Sequence, residues 1–400
     1  MKASPARTTL SVLLSAIALA GCAETSEVEP IRVGVLWATT GVGQVYGAPA
    51  LRGHEMMVAR INANGGLLGR PVVTIHRDER SDPNTATAAA RELITRYDVD
   101  FLIGGVSSSV GQAISEVARQ EKVIYIAPMS KTIELTSGDN FHPYVFRTAA
   151  NTNTEAKSAA IIVDRLGLDS ICTLLLDYSY GQSLEQAFKS HIAQLRPQAR
   201  IVYEGRPALG ETDFTTYITS ILNAGCDVVF SGLWGSHFPG FAKQAGAVGF
   251  FDRVQYVSAG EIGSPEIAEE LGADMPSGVW GNAYDTFYFP DTPEHREYIE
   301  ELAAIEGDPY TSSFPIVGYV AMQFLAEAIT KAGTTDPEAV RQALEGLTIM
   351  TPIGEQTIRA SDHQANRGQF WGQVAESNIP GYPFKVMNPV EYIFADEIMD

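Results

Sequence analysis

One pattern constrains this chain more than any other: it runs once and then starts again. Short β-rich runs, IRVGVLW (31–37), PVVTIHRDE (71–79), VDFLIGG (99–105) and VIYIAP (123–128), alternate with helical periodicity over 47–64, 83–96 and 109–122. The alternation resumes with SICTLLLD (170–177), ARIVYEGR (199–206), CDVVFSG (226–232) and RVQYVSAG (253–260), separated by helical stretches at 181–194, 213–224 and 238–248. Near-continuous apolar strands alternating with helices build parallel sheets covered on both faces. The chain is therefore expected to be α/β, with two doubly wound lobes. The halves share architecture rather than sequence, so this is a duplicated unit and not a short-period repeat. Beyond Trp280 the order changes: helical stretches at 314–332 and 337–347 precede an aromatic tail that reads as irregular.

Composition allows this. Four hundred residues, 45% hydrophobic and only 19% charged, can fill two cores. The net charge of −20 repels nucleic acid and anionic head groups, so neither is an expected partner.

The N-terminus gives an address. Lys2 and Arg7 precede an apolar run from Leu10 to Ala20, which ends in Leu19-Ala20-Gly21-Cys22 before the chain turns acidic. The run is shorter than the roughly 20 residues a membrane span needs and reads as a secretory signal over 1–21. The tetrad resembles the lipobox of bacterial lipoproteins, which implies acylation of Cys22, a tether over 22–30 and an exported, membrane-anchored protein. Losing Lys2 and Arg7 with the signal makes the mature chain two charges more negative. Export permits a disulfide between the remaining cysteines, Cys172 and Cys226. Both sit near the starts of strand-like runs, and neighbouring parallel strands rarely offer disulfide geometry, so buried free thiols are expected.

In doubly wound sheets ligands bind beyond the carboxyl ends of the strands, and pockets favour domain interfaces. The strand-to-helix turns are therefore the candidates. The first, TTGVGQVYGAP (39–49), has Gly41-x-Gly43, but Gly47 comes one residue late for a dinucleotide fingerprint. It reads as a glycine turn presenting Tyr46. The third, GGVSSSVGQ (104–112), opens a helix whose free N–H groups, with Ser107 and Ser108, suit a ligand carboxylate or simply cap the helix. The fourth, APMSKTIELT, places Lys131 past a strand end, where it can meet an anionic group or lie in solvent. Tyr180, Trp234 and Glu261 occupy the corresponding turns of the second half, where they can face a cleft or join the core.

Catalytic constellations are missing. His54-Glu55 lacks the second histidine of a zinc motif, there is no C-x-x-C or phosphate-binding glycine loop, and no serine sits in a G-x-S-x-G elbow. No cofactor or metal is expected, and the chain does not read as an enzyme.

INANGGLLGRPV (61–72), LIGGVSSS (102–109), IAPMSKTIELT (126–136), YG (180–181), ETDFTTYI (211–218) and KQAGAVG (243–249) resemble, in order and spacing, the type I periplasmic binding proteins of ABC importers. The branch is that of the leucine/isoleucine/valine-binding proteins. The resemblance implies two lobes joined by three crossovers, 31–147 with 281–352 and 148–280 with 353–400, closing by a hinge on a ligand. It implies that Tyr46, Val106, Ser107, Ser108, the Met129 backbone and Phe314 line the first lobe, and Tyr180 and Trp234 the second. Ser108 would hold a carboxylate. Lys131 stands where the family has a threonine, and Trp234 where it has a tyrosine. The ammonium-binding glutamate falls on Gly260, or on Glu261 if the register slips by one. A lysine there favours a further carboxylate on the ligand, or a carboxylate without an ammonium. The expected function is capture of a small amino acid or organic, possibly aromatic, carboxylate for a membrane permease. A chemotaxis or signalling receptor is the alternative, and an exported α/β hydrolase a remote one.

Overall fold

In a computed structural model, residues 1–4 and 28–399 are described. The signal run, Cys22 and most of the tether lie outside them. Among the described residues no helix is long and apolar enough to cross a membrane.

The first series comprises β1 (Ile31–Trp37), α1 (Gln44–Ala63), β2 (Val72–Asp78), α2 (Pro83–Tyr97), β3 (Phe101–Gly104), α3 (Ser108–Glu121), β4 (Ile124–Ala127) and β5 (Val145–Arg147). Its strands form one parallel sheet in the order β2-β1-β3-β4-β5. The second comprises α4 (Thr152–Leu166), β6 (Ser170–Leu174), α5 (Ser179–Leu195), β7 (Arg200–Gly205), α6 (Thr215–Ala224), β8 (Val228–Ser231), α7 (His237–Gly246), β9 (Gln255–Ser258), α8 (Pro265–Leu271) and β10 (Trp280–Ala283). The order β7-β6-β8-β9-β10 repeats that of the first sheet, as the restarted pattern requires. The central strands β3, β4 and β8 are buried at every position, which is why they read as unbroken apolar runs.

The chain then returns to the first lobe with α9 (Pro293–Glu306), α10 (Pro315–Ala332), α11 (Pro337–Leu344) and the hairpin β11 (Thr348–Thr351)–β12 (Gly354–Thr357). Helix α10 lies against α1 with backbone nearly touching backbone. A Cβ on Gly53 would stand 1.8 Å from Pro315 O, and one on Gly318 1.9 Å from Ala50 O. These two glycines are required by proximity rather than by conformation.

The tail departs from expectation. It is not irregular: β13 (Gln369–Ala375) and β14 (Val386–Ile393), followed by α12 (Ala395–Ile398), extend the second sheet by two antiparallel strands. Glycine, proline and aromatics obscure their alternation, and Pro389 is tolerated because β14 is an edge strand.

The cysteines are also corrected. Cys172 and Cys226 are bonded, with Cα atoms 5.8 Å apart, inside the usual disulfide window. The register explains it. Cys172 pairs in the sheet with Val229, while Cys226 precedes β8, in the turn leaving α6, so it is not a residue paired across the strands.

Candidate functional site

The turns beyond β1, β3 and β4 face those beyond β6, β8 and β9. In both sheets this is where strand order reverses, the place an open α/β sheet leaves a crevice. The first lobe presents Tyr46, Val106, Ser108, Met129 and Lys131 to a shared cavity; the second presents Tyr178, Tyr180, Trp234 and Glu261, with Tyr284 at the exit of β10. These side chains leave a cavity of about 30 Å³, room for a water or two. Anything of amino-acid size enters only as the two walls part.

Local sequence explains the placements. Tyr46 rides in the first turn of α1, which begins at Gln44, earlier than the periodicity implied. Ser107 is the N-cap of α3, its Oγ accepting from Val110 N at 3.4 Å, so its hydroxyl serves the helix rather than the cavity. Ser108 Oγ accepts from the backbone N–H groups of Lys131 and Thr132, at 3.2 and 3.0 Å, which pins the β4 exit to α3. Val106 is held from below by Glu79, whose carboxylate accepts from Val106 N at 3.1 Å and from Ser81 N. Burial raises that carboxyl to about 7. Phe314 does not reach the wall; it is fully buried behind Tyr46, ring centroids 4.3 Å apart.

Lys131 differs most from its expected setting. It is buried rather than in solvent, and its partners belong to the protein. Nζ donates to Glu155 Oε1 at 2.5 Å and to Glu261 Oε1, and lies 4.7 Å from the centroid of the Tyr284 ring. Burial alone would lower its pKa, but the two carboxylates outweigh it and hold it well above the ordinary range. Burial raises Glu155 to about 8, with Lys131 pulling the other way. Lys131 is therefore a cation shared by two buried acids of the second lobe, Glu155 and Glu261.

Of the two positions expected for the ammonium partner, Glu261 lines the cavity and Gly260 does not. Gly260 has its backbone against Leu233 O, where a Cβ would come within 1.9 Å. Glu261 takes a left-handed φ of 58°, unusual for a glutamate, and its N–H donates to Asn282 Oδ1 at 2.8 Å. Across the cleft, Gly235 N donates to Tyr46 Oη at 2.6 Å; within the second lobe, Tyr180 Oη donates to Ala259 O at 3.1 Å.

Sequence reasoning missed Glu155, Tyr178 and Tyr284. Glu155 had a signal: it is a lone acid beside the alanines and serine that α4 buries. Tyr178 lies in the same turn as Tyr180, two residues before it, while Tyr284 follows β10, outside the turns considered. Among the described residues no three His, Cys, Asp or Glu side chains gather as a metal site.

A family profile described as "Periplasmic binding protein" matches residues 30–378. The leucine-, isoleucine-, valine-, threonine- and alanine-binding protein of Pseudomonas aeruginosa is 28% identical over 86% of this chain and 90% of its own. The Leu/Ile/Val-binding protein of Escherichia coli is 26% identical over 85% and 90%. An ABC transporter substrate-binding protein from Sphaerobacter thermophilus superposes with a TM-score of 0.80 at 26% identity, over 92% of this chain and 99% of that one. A Rhodopseudomonas palustris solute-binding protein in complex with p-hydroxybenzoic acid superposes with a TM-score of 0.83 at 22% identity, over 92% and 98%, a likeness of fold.

Proposed function

Because the chain belongs to the periplasmic binding protein family, we propose that it is the solute-binding component of an ABC importer and that its solute is a small α-amino acid. The observation that carries the choice of ligand is Lys131 bridging to Glu261 across the cleft. An α-amino acid is a zwitterion. Inserted between these groups, it turns one ion pair into two and adds no net charge to a buried site. Its carboxylate would meet Lys131 and the Ser108 hydroxyl, and its ammonium Glu261 and Glu155. Its side chain would lie among Tyr46, Tyr178, Tyr180, Trp234 and Tyr284, stiff aromatic surfaces with few rotors to freeze.

Binding would select the closed arrangement, since these contacts exist only when 31–147 with 281–352 meets 148–280 with 353–400. The chain would be exported and held at a membrane by acyl groups on Cys22, with 22–30 as the tether through which the lobes reach a permease. One acyl chain anchors only marginally, so more than one is required.

The aromatic wall supports a second reading, an aromatic carboxylate such as the hydroxybenzoate bound by the R. palustris relative of similar fold. Calorimetry and thermal shift with the amino acids, their N-acetyl and amide derivatives and hydroxybenzoates decide between them. A true ligand at 100 times its Kd should stabilise the fold by about 2.7 kcal/mol. Amino acids should bind and their blocked derivatives should not; binding of hydroxybenzoates alone would replace the first reading with the second.

A further inference from the structure

One buried donor in the cavity wall has nothing to donate to. Trp234 is 6% exposed and lines the cavity, and its indole Nε1–H meets no acceptor. Among the described residues, no other member of that lining has a buried side-chain nitrogen or oxygen left without a partner. Its neighbours are engaged: Tyr46 Oη with Gly235 N, Tyr180 Oη with Ala259 O, Lys131 with Glu155 and Glu261. Nor is the indole loosely held. The Trp234 carbonyl accepts from His237 N at 3.2 Å and from His237 Nδ1 at 2.8 Å, and its ring packs on Tyr46 and Tyr178 with centroids 5.6 and 6.5 Å away.

Burial pushes the Tyr178 phenol up, with Trp234 pulling it the other way, which sets the indole N–H on the side of Tyr178, itself part of the cavity lining. The two still do not meet in hydrogen-bond geometry. A buried tryptophan N–H ordinarily finds a partner. Trp371 shows this here, its Nε1 donating to Gln369 Oε1 at 3.0 Å. Trp37 and Trp280 also lack an acceptor, but neither borders the cavity. An indole N–H is a donor only, so whatever completes Trp234 must bring an acceptor.

We propose that Trp234 reads the side chain of the ligand, and that the solute is an α-amino acid whose side chain carries an uncharged oxygen, a hydroxyl or a carboxamide. This rests on the amino-acid reading above. The α-groups would use Lys131, Ser108 and Glu261, and the indole would donate to the side-chain oxygen. A side-chain carboxylate has no cation to meet, since Lys131, the cation of the lining, is already committed to the α-carboxylate. Aromatic walls alone rank the apolar member of a near-isosteric pair higher, because an oxygen buried without a hydrogen bond loses its hydration. A donor waiting in the wall reverses that rank and leaves the apolar analogue facing an unpaired N–H.

The test is calorimetric titration with near-isosteric pairs: L-threonine against L-valine, L-asparagine against L-leucine, L-glutamine against L-methionine, L-tyrosine against L-phenylalanine. In at least one pair the polar member should bind about tenfold or more tighter. Trp234→Phe keeps a ring and deletes the N–H, and it should cut that preference to about threefold or less, or invert it. The chain has four tryptophans, so its indole N–H signals are separable in a proton–nitrogen correlation spectrum. The signal missing from Trp234→Phe should move downfield when the favoured amino acid is added to the wild type. Apolar members that bind as tightly or tighter in every pair overturn the inference while leaving the amino-acid reading in place. So does a preference that survives Trp234→Phe, an indole signal that stays still, or tighter binding of L-aspartate or L-glutamate than of their amides. If no amino acid binds, both readings fail. The wild-type pair comparison stands without any variant.

Discussion

Tyr46 Oη accepts a hydrogen bond from Gly235 N at 2.6 Å, joining the first turn of α1 to the turn between β8 and α7. A single phenol thus links the two sheets at the wall of the cavity. Tyr46→Phe keeps the ring packed on Phe314 and Trp234 and removes the hydroxyl, which accepts from Gly235 N and donates over a longer 3.4 Å to Gly260 O. Affinity for the ligand should fall roughly 2- to 10-fold, the worth of one net hydrogen bond, with the unfolding midpoint nearly unchanged. Calorimetric Kd values for the two proteins check this.

Lys131→Met leaves Glu155 and Glu261 buried without their shared cation. Removing one partner of a buried ion pair costs about 3–5 kcal/mol, and denaturant unfolding should show that loss together with abolished ligand binding. Adding Glu155→Gln and Glu261→Gln to Lys131→Met should restore most of the stability and none of the binding.

Stability should fall as pH rises through the neutral range. Burial raises Glu155 to about 8, and Glu79 and Glu266 to about 7, all above the carboxyl values of an unfolded chain. Between about pH 5 and 8 the folded state holds protons that the unfolded state has released, so the contribution of these groups is full below the ordinary carboxyl range and lost as pH climbs through 7 to 8. Burial pushes His54 and His142 down to about 3 and 4, which opposes this trend below about pH 6.5, so the decline in urea midpoint should be clear between pH 7 and 8, and Glu155→Gln should flatten it. A profile rising over that interval would contradict the assignment.

The Cys172–Cys226 bond closes a sequence separation of 54 residues within the second lobe. Replacing both cysteines by serine should cost roughly 2–4 kcal/mol. Reductant should lower the midpoint of the native protein and leave that of the double variant unmoved.

Gly318→Ala tests the α1–α10 contact. Its methyl would be driven toward Ala50 O, and helix interiors ordinarily favour alanine over glycine by about 1 kcal/mol. Here the sign should reverse, with a loss of roughly 1–3 kcal/mol from overpacking and weaker ligand binding as Tyr46 shifts with α1.

What sequence could reveal depended on whether the information was local. The parallel strands were legible because burial on both faces writes itself as unbroken apolar runs, and the turns were legible because glycine and serine mark strand exits. Eight of the predicted positions, Tyr46, Val106, Ser108, Met129, Lys131, Tyr180, Trp234 and Glu261, meet at one cavity. Ser107 and Phe314 fall just behind it, since a serine before a helix is a cap as readily as a ligand. The rest depended on partners distant in sequence. Nothing near Lys131 announces Glu155 or Glu261, nothing near Cys172 announces the approach of Cys226, and β13 and β14 show their alternation only once they are paired with each other.

The packing of α1 on α10 also orders events in time. Some 250 residues separate these helices, and their backbones come within contact distance. A nascent chain emerging from the ribosome can form the five parallel strands of the first sheet early, but it cannot cover the α1 face until Ala332 has been made. Non-local contacts of this reach slow folding. By then the whole second series of strands has also been made, so the first lobe closes its core only after the entire second sheet from β6 to β10 is available.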